Sequence, residues 1–234
     1  MASLYLIPTT LGDQRIDSVL PNANSLIVKS IQYFIVEEIR TARRYLKRVD
    51  TSINIDELNF NELNEHTRKQ GLEELLAPLF NGFDVGIISE AGCPGVADPG
   101  AELVKLAHEK NIRVIPLVGP SSVLLALMAS GMNGQNFAFL GYLPVKKIDR
   151  IKKIREIEKQ SLTENQTQIF IEAPYRNIQL LEDLITTLNE NTRLCIAADL
   201  TLETEFIRSK TIASWKKAVP DINKRPAIFL IYKE

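Results

Sequence analysis

From Leu4 to Ser130 short apolar runs alternate with longer stretches of helical period, and no other feature of the sequence restricts the fold so sharply. Leu4–Ile7 reads as a buried strand closed by Pro8. Tyr33–Val36 reads as a second strand leading into a helix that carries Arg40 to Arg48. Leu72, Leu75, Leu76 and Leu79 recur at helical spacing ahead of the turn Asn81-Gly82. The strand Val85–Ser89 opens a glycine- and proline-rich loop from Glu90 to Pro99, followed by a helix from Gly100 to about Lys110. Strand Ile112–Leu117, the turn Val118-Gly119-Pro120-Ser121 and an apolar helix to about Ser130 complete the series. Strands separated by helices, each with a short loop at the strand's carboxyl end, predict a parallel α/β sheet.

Gly131 to Asn136 is the most turn-rich short segment, so the expected domains are 1–133 and 134–234. A chain of 234 residues suits two such units, each large enough to bury its own core. The second half holds strand-like runs at Phe137–Tyr142, Gln168–Ile171, Leu194–Ala198, Glu205–Arg208 and Ala227–Tyr232. Helical segments near Ile148–Lys159, Arg176–Leu188 and Thr211–Ala218 lie between some of them.

Several classes drop out on composition. Cys93 and Cys195 stand far apart with no C-x-x-C, and His66 and His108 have no metal-ligand spacing, so no metal centre is expected. No apolar run approaches the ~20 residues that span a bilayer. The opening residues lack a basic, cleavable leader, and the expectation is a soluble cytoplasmic protein without a membrane partner. Two basic clusters stand out: Arg40, Arg43, Arg44, Lys47 and Arg48, with no carboxylate among them, and the run from Lys146 to Lys159. Each reads either as a solvated helix face or as a phosphate-binding surface.

In an open parallel sheet, ligands sit beyond the strand C-termini. Three loops there are unusual: Pro8-Thr9-Thr10-Leu11-Gly12, the twelve residues from Ser89 to Gly100, and Gly119-Pro120-Ser121-Ser122. Glycines and prolines stiffen the second loop and allow close approach of a ligand to its backbone. Helix capping by Asp98 or Ser121 accounts for part of the pattern. The chain has neither G-x-x-x-x-G-K-[ST] nor a G-x-G-x-x-G after a strand, which excludes the P-loop and the usual dinucleotide site. Cys93 lies in the glycine loop without a base or cation nearby in sequence.

These loops resemble the tetrapyrrole methylase superfamily, nearly end to end, and within it the ribosomal RNA small-subunit methyltransferase I branch. Leu4 to Gly12 is similar to that branch's opening L-Y-x-x-P-T-P-I-G, and Val36 to Thr41 stands where it has A-E-D-T-R. Ser89 to Gly100 resembles S-D-A-G-T-P-x-x-x-D-P-G, the most specific segment, and Pro116 to Ser122 resembles P-x-P-G-P-(S/C)-A. Tyr142 to Lys146 matches F-L-P-x-K, Ile169 to Ala173 matches I-F-Y-E-S, and Pro226 to Ile231 resembles P-A-L-I-V-V. Glu38, Ile39 and Cys93 replace the branch's Asp, Thr and Thr, and its H-N-E appears loosely as Asn64-Glu65-His66.

The resemblance implies a two-domain α/β fold with a mostly parallel first sheet, a mixed second sheet and S-adenosylmethionine bound between the domains. It implies a homodimer that methylates a ribose 2′-hydroxyl of ribosomal RNA. Pro8, Ser89, Glu90, Ala91, Gly92, Val96, Ala97, Asp98, Gly119, Ser121 and Ser122 would line the cofactor from the first domain. Ile171, Glu172, Ala198, Pro226 and Ala227 would close over it from the second. Glu38 and Arg40 stand as acceptor-side catalytic candidates, Glu38 either as the base or as a helix N-terminal carboxylate. Arg43, Arg44, Lys47, Arg48, Lys146 and Lys147 would meet RNA. A tetrapyrrole-type small-molecule methyltransferase and a non-catalytic RNA-binding relative stay open as alternatives.

Overall fold

In a computed structural model of the chain, residues 2–63 and 71–234 are described. The segment Asn64-Glu65-His66 singled out above lies outside them. Two compact units emerge, Met1–Ser121 and Ser122–Glu234.

The first unit is a five-stranded sheet: β1 (Ser3–Ile7), β2 (Tyr33–Val36), β3 (Asn59–Glu62), β4 (Val85–Ile88) and β5 (Arg113–Pro116). The strands run in the order β3-β2-β4-β1-β5 and every pair is parallel. The connections carry α1 (Asn22–Ser30), α2 (Ile39–Val49), the short α3 (Leu72–Leu75) and α4 (Ala77–Phe80), and α5 (Gly100–Glu109). Alternate strand residues face opposite sides, and each side is closed by its own helices. Ile7, Phe34, Val36 and Ile88 pack with Val28, Ile31, Ala42, Tyr45 and Leu46 of the α1–α2 layer. Leu4, Ile35, Val85 and Ile87 pack on the other face with Leu76, Leu79, Leu103 and Ala107.

The second unit opens with α6 (Ser122–Ser130) and continues through β6 (Phe137–Tyr142), α7 (Lys147–Glu164), β7 (Thr167–Ile171) and α8 (Asn177–Thr187). It ends with β8 (Arg193–Ala198), β9 (Phe206–Thr211), the one-turn α9 (Ile212–Trp215) and β10 (Ala227–Tyr232). The sheet order is β6-β7-β10-β8-β9, with β6 and β7 parallel and the other pairs antiparallel. It is the mixed sheet expected. Its core joins Ile154 and Ile157 of α7 and Leu180, Leu181 and Leu184 of α8 to Phe170, Ile196 and Phe229 of the strands.

The unit boundary falls at Ser121/Ser122 rather than at the turn before Gly134, because α6 packs on β10, β9 and β8. The turn-rich segment joins α6 to β6 inside the second unit. The helix expected over Thr211–Ala218 shortens to Ile212–Trp215. Two elements, α1 and the polar edge strand β3 (Asn-Phe-Asn-Glu), carry too little apolar pattern to stand out in the sequence.

Candidate active site

In the first unit β2, β4, β1 and β5 lie side by side and end on one edge, so the loops after them are neighbours. The Thr9 N–H donates to the Gly92 carbonyl at 2.9 Å, tying the β1 loop to the β4 loop. A Cβ on Gly119 would stand 2.3 Å from ring carbons of Pro8, so the β5 and β1 loops touch with no room for a side chain. Gly92 adopts φ +74°, and a Cβ there would meet Leu11 Cδ2 at 3.1 Å and the Pro120 oxygen at 3.2 Å. These glycines were expected to admit a ligand. At Gly92 and Gly119 the close approach is between the protein's own loops.

A cleft of about 250 Å³ opens beside these loops, lined by Thr9, Thr10, Ser89, Glu90 and Ala91 and by Thr41, Arg44, Tyr45 and Arg48 of α2. Spacings of three and four put these α2 residues on one helix face. The buried Tyr45 hydroxyl donates to the Pro8 carbonyl at 2.9 Å, and burial pushes its phenol well up. The Thr41 hydroxyl donates to Glu90 Oε1 at 2.6 Å and so bridges the β2 and β4 loops.

Acids gather at the same edge. Burial raises the Glu37 carboxyl to about 7, helped by the charge of Asp98, a hydrogen bond with it, and the charge of Glu90. Asp98 Oδ1 also accepts from the Gly100 N–H at 2.7 Å and the Gly95 N–H at 3.1 Å, closing the loop at the start of α5. Val96 and Ala97 form the exposed tip of that loop, Ala97 at φ 56°. Ser89 is buried, its hydroxyl donating to the Ala91 carbonyl at 3.2 Å. The Cys93 thiol turns toward the Pro120 carbonyl at 3.4 Å, and burial pushes it up, which opposes a thiolate nucleophile.

Glu38 caps α2. Its carboxylate accepts from the Arg40 N–H at 2.8 Å and the Thr41 N–H at 3.0 Å, so both oxygens hold the helix N-terminus. Arg40 is exposed on the first turn. The basic cluster is more occupied than its sequence suggests. Arg43 lies 3.7 Å from Asp56 and over the Phe60 ring, and Arg48 lies 3.7 Å from Asp13 and donates to the Gln14 carbonyl. Lys47 donates to the Thr51 and Ile53 carbonyls at 3.1 and 2.7 Å. The acids near these arginines, Asp13 and Asp56, come from outside the helix itself.

In the second unit Ile171, Ala198 and Ala227 share one end of the adjacent strands β7, β8 and β10, since Ala227 pairs with Ala198 and Ile228 with Ile171. Pro226 precedes them, its carbonyl accepting from the Asp199 N–H at 2.9 Å. Glu172 is buried. Its Oε1 accepts from the Ala173 N–H at 2.7 Å and from Arg176 Nε and Nη2 at 2.9 and 2.6 Å. Among the described residues its Oε2 is buried without a hydrogen-bond partner. Ser121 closes the first unit and Ser122 starts α6. Lys146 precedes α7, and Lys147 reaches to 3.6 Å from Asp183. Arg150, counted among the surface cations, is buried instead and donates to Asp183 at 2.8 Å and to the Val145 carbonyl at 2.7 Å.

Sequence reasoning missed Glu37, Thr41 and Tyr45. The tandem acids after β2 offered a choice, and strand alternation decides which of them turns inward. Thr41, Tyr45 and Arg48 were legible as a helical stripe, obscured by the interleaved arginines.

The comparisons agree with this architecture. Residues 25–215 match the model of the family described as Tetrapyrrole (Corrin/Porphyrin) Methylases. The chain belongs to that family and is a methyltransferase. Within the family it falls in the branch of relatives named Ribosomal RNA small subunit methyltransferase I. One, from Vibrio cholerae, is 32% identical over 210 residues, covering 90% of this chain and 69% of the relative. Another, from Escherichia coli O157:H7, is 30% identical over 234 residues, covering 99% and 77%. That of Synechocystis is 33% identical over 201 residues, covering 86% and 68%.

Proposed function

We propose that this chain transfers a methyl group from S-adenosylmethionine to a ribose 2′-hydroxyl of small-subunit ribosomal RNA. The observation that carries the reading is the convergence of the β1, β2, β4 and β5 loops on one edge, with Glu37, Glu90 and Asp98 beside the cleft. The relatives' name, Ribosomal RNA small subunit methyltransferase I, supplies the RNA. S-adenosylmethionine supplies an already activated methyl on a sulfonium, so the reaction needs alignment and the removal of one proton. Its positive charge suits this acid-lined edge, and the orphaned Glu172 Oε2 offers an acceptor to a ligand donor.

Pro8, Ser89, Glu90, Ala91, Gly92, Val96, Ala97, Asp98, Gly119, Ser121 and Ser122 hold the donor in this reading. Ile171, Glu172, Ala198, Pro226 and Ala227 do so in the second unit. Arg44 and Arg48, on the cleft wall, meet the RNA phosphates, with Arg43, Lys47, Lys146 and Lys147 outside it. Glu37 is the better base than Glu38, because its raised carboxyl titrates near neutrality while Glu38 is engaged as a cap. Arg40 lies beside them. A cytoplasmic homodimer belongs to the same proposal.

The test is methyl transfer from radiolabelled S-adenosylmethionine to small-subunit RNA, followed by alkaline hydrolysis. A labelled, alkali-resistant dinucleotide is expected. Label recovered only on a base, or on no RNA, overturns the ribose assignment.

A further inference from the structure

Four large side chains cluster in exposed positions around the ends of β6 and β7: Tyr142, Val145, Ile148 and Tyr175, the two tyrosines 61% and 69% exposed. Tyr142 ends β6 and pairs with Ile171, immediately before Glu172. Tyr175 lies in the tight turn after β7. Against Tyr175 lies Arg176. Its guanidinium carbon sits 5.2 Å from the Tyr175 ring centroid, and its Nη1 donates to the Tyr175 hydroxyl at 3.3 Å. The Glu172 carboxylate, itself buried, pins that guanidinium with two hydrogen bonds.

The surround is rigid and basic. Arg150 is 1% exposed, and its donation to the Val145 carbonyl fixes the segment that presents Val145 and Lys146. Lys146 and Lys147 follow Tyr142 in the chain at the start of α7, and the second unit carries 16 Lys and Arg against 13 Asp and Glu. Exposed rings, one of them backed by a fixed guanidinium, and lysines close in the chain match what unpaired nucleotides require, a stacking surface with cations along the backbone. A stable protein partner covers about 20–30 residues a side, and this cluster is far smaller.

We propose that Tyr142, placed by its pairing with Ile171, and Tyr175, held by Arg176 and through it by Glu172, form a platform on which unpaired bases of the RNA acceptor stack. The inference rests on the RNA reading above and assigns it a contact surface outside the cleft of the first unit. Neither tyrosine is among the residues assigned to the methyl donor.

Binding of a fluorescein-labelled single-stranded RNA, chosen without secondary structure, tests it with the full chain. Tyr142→Ala with Tyr175→Ala is expected to weaken RNA binding by roughly 5- to 100-fold. Its salt dependence and its affinity for S-adenosylmethionine should stay as in the parent, because no phosphate contact is removed. Tyr142→Phe with Tyr175→Phe, which keeps both rings, should bind like the parent. Parent-like RNA affinity in the folded alanine variant overturns the platform alone. A change from dimer to monomer by light scattering, with RNA affinity kept, overturns it in favour of a contact between copies. A parent chain that binds no RNA overturns the RNA reading and the platform with it.

Discussion

Glu37 and Gly92 show how a single residue answers to its neighbours rather than to its own chemistry. An ordinary glutamate titrates near 4.3, whereas Glu37 is raised to about 7 by burial and by Asp98 and Glu90. Between those values the folded chain holds more protons than the unfolded one, so the stability tied to this group falls as pH rises. It is fully present below the unfolded value and lost as pH passes through about 7. Glu37→Gln should therefore flatten the loss of melting temperature between about pH 5 and about pH 8. Identical slopes in variant and parent would detach Glu37 from the pH response. At Gly92, φ +74° and two contacts near 3 Å leave no place for a side chain. Gly92→Ala is expected to destabilise by about 1–3 kcal/mol in urea unfolding, through left-handed strain together with crowding against Leu11 and the Pro120 carbonyl. Unaltered stability would mean that the three loops separate freely.

Among the elements, α7 depends on a partner that its own sequence does not contain. Arg150 and Asp183 form an ion pair across α7 and α8 with side chains 1% and 4% exposed. Removing one member strands the other charge in the core, so Arg150→Ala should cost about 3–5 kcal/mol. Arg150→Met combined with Asp183→Leu should recover most of that loss, since matched apolar groups need no partner. Denaturant titrations of the single and double variants decide this, and equal loss in both would place the effect in packing rather than charge. Elements such as β4 and β10 were legible because their residues are buried on both faces and nearly all apolar. The edge strand β3 has one covered side and four mostly polar residues, so its place is fixed by pairing with β2 and not by pattern.

For the molecule as a whole, S-adenosylmethionine at about 100 times its dissociation constant should add about 2.7 kcal/mol and raise the melting temperature by about 5–10 °C. No shift at saturation would count against the donor assignment. The loops of the candidate site were legible where a motif fixes backbone, as at Ser89 to Gly100. It was not where tertiary neighbours decide the role, as with Arg150, Arg48 or the choice between Glu37 and Glu38. The strand order β3-β2-β4-β1-β5 also sets a timetable for a chain made from its amino end. β1 pairs only with β4 and β5, so Leu4 and Ile7 have no strand beside them until Val85–Ile88 has been made. At about 5–20 residues per second that wait lasts roughly 4–16 s on the ribosome. A translational pause before Val85 prolongs the interval in which the nascent chain can aggregate, whereas a pause after Pro116 meets a sheet in which β1 already has both neighbours.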